Sequence, residues 1–168
     1  MIFFYALVGA VVLIDQLSKF LALQYLSPYT SVLLIPRVLD LTLVKNSGVA
    51  FGLFSGYAPA LFTVITVSLV FLFLIANRSH GKTARPRRGS PSSLQETEAV
   101  HGTSIADRWA LSLILGGAIG NWIDRLRFGT VIDFIDFRIF PVFNIADTAI
   151  TIGVGLYFIH VFTSKDKT

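Results

Sequence analysis

Between Gly116 and Ile150 the chain sets four aspartates, two asparagines and three arginines between two apolar runs long enough to enter a membrane. An ionisable group in or beside hydrocarbon costs a few kcal/mol or more, so such a group is either paired or part of a working site. Asn121, Asp124 and Arg125 stand at i, i+3 and i+4 and share one helix face. Beyond the FGT turn, Asp133 lies in the apolar segment VIDFIDF, and Asp147 follows fourteen residues later in FNIAD. Two carboxylates are thereby delivered to one end of the same bundle.

Composition supports a membrane setting. At 54% apolar, 14% charged and a mean hydropathy of +0.69, the 168 residues are too hydrophobic for an ordinary soluble domain. The sequence has no cysteine, which removes disulfides, thiol catalysis and cysteine-ligated metals together. The three histidines, His80, His101 and His160, are scattered without ligand spacing, so neither a metal site nor a cofactor is expected.

The hydropathy pattern predicts an all-α membrane protein, one domain over 1–168, with four transmembrane helices and a small extracytoplasmic β-sheet. The first span covers about 2–26, and a cleaved signal peptide fits it less well because a basic start and a small-x-small site are missing. Within it Asp15 and Lys19 are i, i+4. A buried pair that fixes packing and a role for Asp15 in the polar site are both open.

Residues 27–56 form an outer β segment: Asp40 and Thr42 alternate with leucines in LDLTLVK, and Asn46 opens NSGVAFG, where local sequence favours a turn-forming asparagine. The second span is 57–77. Residues 78–107, rich in Pro, Gly, Ser and basic residues, read as a disordered cytoplasmic loop. Its Arg78, Lys82, Arg85, Arg87 and Arg88 are explained by the positive-inside rule more simply than by a nucleic-acid or lipid-binding patch, and with Lys165 and Lys167 they put both termini on the cytoplasmic side. The third span is 109–125, carrying a Gly116/Gly120 GxxxG for close helix approach, followed by an outer segment 126–143. The fourth is 144–162, where Gly153 and Gly155 suggest tight packing.

Five boxes, DQLSK (15–19), KNSGVAFG (45–52), GGAIGNWIDR (116–125), VIDF (131–134) and FPVFNIADTAI (140–150), resemble in order and spacing those of the bacterial lipoprotein signal peptidases, or signal peptidase II. The resemblance covers nearly the whole chain. It implies four transmembrane helices, an extracytoplasmic β-cradle and a small periplasmic helix in the bacterial inner membrane. It also implies an aspartic endopeptidase that removes the signal peptide of diacylglyceryl-modified prolipoproteins just before the lipidated cysteine, and that binds globomycin-type inhibitors. By the same resemblance Asp133 and Asp147 match the catalytic pair, and Asp15, Asn46, Asn121, Arg125 and Asn144 match residues lining or holding the site. The 78–107 segment is longer than the family's usual connection, and the interval between VIDF and FNIAD is shorter than in several relatives.

The residues are consistent with that chemistry in their own right. Without a thiol or a GxSxG serine, peptide hydrolysis can run on two carboxylates that share a proton, one as base on water and one as acid on the carbonyl oxygen. The GxGD signature of presenilin-like proteases is absent. Asn144 can cap the fourth span and place Asp147 in its positive first turn, which favours Asp147 as the base and Asp133 as the proton carrier. Asp124 has Arg125 and Arg127 nearby and reads as a structural ion pair. A small transporter with acidic residues along an ion path, and an assembly factor whose aspartates only pair with Arg125, Arg127 and Arg138, are the competing classes. The gathering of carboxylates at one face and the lack of an internal repeat argue against the transporter.

Overall fold

A computed structural model of the chain describes residues 2–47 and 105–165. The order of elements is α1 (Ile2–Tyr25), β1 (Val32–Ile35), β2 (Leu39–Asn46), α2 (Ile105–Phe128), β3 (Val131–Asp136) and α3 (Ile145–Lys165). The expected second span and nearly all of the 78–107 loop lie outside the described residues. Helix α2 begins at Ile105, inside the stretch assigned to that loop.

Among the described residues one helix, Ile2–Tyr25, is long and apolar enough to cross a membrane, and Ile145–His160 is a shorter apolar helical stretch. Helix α2 is equally long but carries Asp107 and Arg108 near its start and Asp124, Arg125 and Arg127 near its end.

The helices approach closely where side chains are missing. A Cβ on Gly116 would fall 2.7 Å from that of Val11, and one on Gly120 would fall 2.5 Å from Asp15 Oδ2, so the GxxxG faces α1 as the spacing suggests. Gly153 plays the same part between α3 and α2, where a Cβ would meet the Ala110 carbonyl. Gly155 does not, having open space around it, because two residues along a helix turn it to another face.

Helix α2 stops at Gly129, whose φ of +70° is the left-handed conformation that closes helices; its N–H bonds the Arg125 carbonyl at 3.0 Å. This turn sends the chain straight into β3. The sheet is antiparallel in the order β1-β2-β3. The free side of β3 is covered by Phe143, which exchanges backbone hydrogen bonds of 2.8 and 3.0 Å with Ile135. That contact places the start of α3 beside β3. Strand β2 runs through Asn46, which pairs with Val131, so the turn that local sequence favours at Asn46 is not what forms.

Candidate active site

The site is assembled where α1, α2, the N-terminus of α3 and the end of the sheet meet. It begins with a helix cap. Asn144 precedes α3, and its Oδ1 accepts the Asp147 N–H at 2.9 Å, while Asp147 Oδ2 accepts the Asn144 N–H at 3.4 Å. This reciprocal cap fixes both side chains and leaves the Asp147 carboxylate in the positive first turn. Because Asn144 Oδ1 is committed to the cap, its Nδ2 must face the other way. It donates to Asp133 Oδ1 at 2.6 Å, to Asn121 Oδ1 at 3.1 Å and to the Ile132 carbonyl at 3.3 Å.

Asp133 is brought here by β3. Strand pairing sets Val44 opposite Asp133 and Asn46 opposite Val131, so Asn46 is the diagonal neighbour of Asp133 and donates to its Oδ2 at 2.9 Å. The carboxyl is buried at 1% exposure between Ile132, at 0%, and Phe134, at 8%. Burial is the main cause that pushes its pKa up, to about 6; the charge of Asp147 adds to the rise, while the Asn46 and Asn144 hydrogen bonds and Lys19 oppose it. Asp147 is half-buried and accepts the Asn121 amide at 2.7 Å on Oδ1. The Arg125 guanidinium interacts electrostatically with Asp147, Asp124 and Asp133 alike, and it bonds the Asn121 carbonyl at 3.4 Å.

All seven residues that the resemblance singles out therefore gather here: Asp133, Asp147, Asn46, Asn121, Arg125, Asn144 and, one layer below, Asp15. Asp15 makes two kinds of contact. It pairs with Lys19 at 2.9 Å, and its Oδ1 accepts the Ala146 N–H at 2.9 Å, satisfying a free donor in the first turn of α3. Asp124 is also a structural ion pair, but not with the arginines beside it. Its cation is Lys19, at 2.8 Å, and its oxygens also accept the Ile132 N–H at 3.1 Å and Gln16 Nε2 at 3.0 Å. Lys19 and Gln16 were not among the expected site residues. Two signals point to Lys19, its i, i+4 spacing from Asp15 and its place with Gln16 in the DQLSK box. Among the described residues no group of three or more metal-ligating side chains occurs.

The fold is shared with solved chains. One structure described as a bacterial membrane enzyme superposes with a TM-score of 0.75 and 30% identity, covering 100% of this chain and 92% of its own. A second of the same description gives 0.72 and 31%, covering 96% and 93%. The lipoprotein signal peptidase of Halothermothrix orenii is 34% identical over 163 residues, 96% of each chain. That of Brevibacillus brevis is 37% identical over 166 residues, 98% of this chain and 97% of its own, and that of Caldanaerobacter subterraneus 40% over 148, 88% and 87%. A helical frame that carries a three-stranded sheet and this polar site is thus the frame of a peptidase. The family model for Signal peptidase (SPase) II matches residues 7–90 and 92–163. The chain belongs to the signal peptidase II family.

Proposed function

We propose that this chain is an aspartic endopeptidase of the bacterial inner membrane that removes the signal peptide from diacylglyceryl-modified prolipoproteins, cutting before the lipidated cysteine. Asp133 and Asp147 are its catalytic pair. The observation that carries the reading is Asn144, which donates to Asp133 from its side chain and to Asp147 from its backbone, and so holds two carboxylates from different elements in one site. In this reading the chain crosses the membrane four times with both termini cytoplasmic, the site lies near the outer face, and lipid and globomycin-type inhibitors are its other partners.

The chemistry follows from the asymmetry of the pair. Burial, which pushes the Asp133 pKa up to about 6, favours its protonated form and makes it the acid of the pair; Asp147, in the first turn of α3 and bonded by Asn121, is the base. Asp147 takes a proton from water as the water oxygen bonds to the scissile carbonyl carbon, and Asp133 gives its proton to the carbonyl oxygen. Collapse of the tetrahedral intermediate breaks the C–N bond. The proton on Asp147 passes to the leaving amine, and Asp133 recovers its own. Asn46 and Asn144 hold Asp133 throughout, and Arg125 offsets the negative charge that the pair carries.

The test is a gel-shift assay with purified protein and a lipid-modified preprotein, followed by mass spectrometry of the product. Cleavage immediately before the modified cysteine is expected, with the unmodified preprotein left intact. Absence of turnover on the modified substrate by folded protein would instead favour the transporter or assembly-factor classes.

A further inference from the structure

The mechanism leaves unused a fully buried ammonium directly beneath the pair. Lys19 is 2% exposed and has three N–H donors, each with one acceptor: Asp15 Oδ2 at 2.9 Å, Asp124 Oδ2 at 2.8 Å and Asn121 Oδ1 at 2.9 Å. The two carboxylates that hold it are each bonded to the backbone on their far side. Asp15 takes the N–H of Ala146, the residue before Asp147, and Asp124 takes that of Ile132, the residue before Asp133.

We infer that Lys19 is a positioning residue for the reaction: its ammonium turns the Asn121 amide so that the NH2 faces Asp147, and through Asp15 and Asp124 it holds the backbone just before each catalytic aspartate. The inference rests on the assignment of Asp133 and Asp147 as that pair. An amide can present either face to a neighbour, but an ammonium can only donate. Lys19 therefore draws Asn121 Oδ1 toward itself, and the Nδ2 left on the other side reaches Asp147 at 2.7 Å. Without the ammonium, Asp15 and Asp124 would face each other as uncompensated like charges in a dry site.

Around Asp133 stand Asn46 from β2, Asn144 and Asp147 at the start of α3, Arg125 from α2 and Lys19 from α1. Of these, Lys19 and Arg125 are the cations. Removing the Lys19 charge makes ionisation of Asp133 harder, so the alkaline limb of the rate profile, set by loss of its proton, moves to higher pH.

The experiment compares wild type, Lys19→Met, Asp124→Asn and the double variant Lys19→Met/Asp124→Asn, with Asp133→Asn as the inactive reference. Lys19→Met should lose about 10–100-fold in kcat with KM little changed, and its alkaline limb should move upward. The double variant no longer sets two carboxylates against each other, so it answers the question if Lys19→Met does not fold. It should lose a similar factor in kcat relative to Asp124→Asn alone. Folded Lys19→Met with wild-type kcat and limb, or a double variant that equals Asp124→Asn, overturns the inference and leaves Lys19 a packing element. Turnover by Asp133→Asn would locate the fault in the assignment of the pair itself.

Discussion

Asn144 offers the most separable perturbation, because its two ends do different work. Its Oδ1 caps α3 through the Asp147 N–H at 2.9 Å, and its Nδ2 holds Asp133 at 2.6 Å. Asn144→Ser keeps a capping oxygen but has no second arm to reach Asp133. Asn144→Ala loses both. Loss of the cap is worth about 1 kcal/mol of stability. The hydrogen bonds that Nδ2 makes inside the protein add about 1–3 kcal/mol when their partners are left unsatisfied. Thermal unfolding in detergent should therefore rank wild type above Asn144→Ser above Asn144→Ala, the last step being about 1 kcal/mol. Cleavage should separate differently. Both variants release Asp133, and a positioning loss of about 1.4–2.8 kcal/mol in the barrier is about 10–100-fold in rate. Asn144→Ser should thus be nearly as slow as Asn144→Ala although better folded. If Asn144→Ser cleaves at the wild-type rate, the bond from Nδ2 to Asp133 does not position the acid.

The pKa of Asp133 makes a stability prediction of definite sign. Its carboxyl titrates near 3.8 when unfolded and at about 6 when folded, so its contribution is full below pH 3.8 and is lost as pH rises through 6, an effect of about 3 kcal/mol. The melting temperature of Asp133→Asn relative to wild type should therefore rise between pH 4 and pH 7, and a constant difference would contradict the burial argument. Gly120→Ala would press a methyl onto Asp15 Oδ2 at 2.5 Å and should destabilise by about 1–3 kcal/mol. Gly155→Ala meets open space and should be neutral or stabilising by up to about 1 kcal/mol in the same melts. Dialysis against EDTA should leave the cleavage rate intact, and inactivation reversed by one particular metal would refute the two-carboxylate mechanism.

Much of this site was legible because its signals are local. The Asn144–Asp147 spacing is that of a helix cap, LDLTLVK alternates as a strand does, and Asp133 sits among Ile132, Phe134 and other apolar residues that bury it. What sequence spacing missed depends on partners far along the chain. Asp124 has Arg125 as its chain neighbour, yet its cation is Lys19, more than a hundred residues earlier, because the GxxxG brings α1 against α2 at that level. Asn46 reads as a turn residue from NSG alone; pairing with Val131 makes it the last residue of a strand and aims it at Asp133. Arg138 likewise serves neither the pair nor its support, bonding Asp40 across the sheet at 2.5 Å. Such choices are made by packing, which local periodicity does not record.

The central claim is that the working aspartates are Asp133 and Asp147 and that Asp124 serves structure. Replacing each with Asn, and measuring cleavage of the lipid-modified preprotein at equal amounts of folded protein, tests it most directly. Asp133→Asn and Asp147→Asn should each abolish turnover without loss of folded protein, whereas Asp124→Asn, which loosens Lys19 and the Ile132 N–H, should lose stability and keep residual turnover. Substantial activity in Asp133→Asn, with none in Asp124→Asn, would contradict the account and make Asp124 the partner of Asp147.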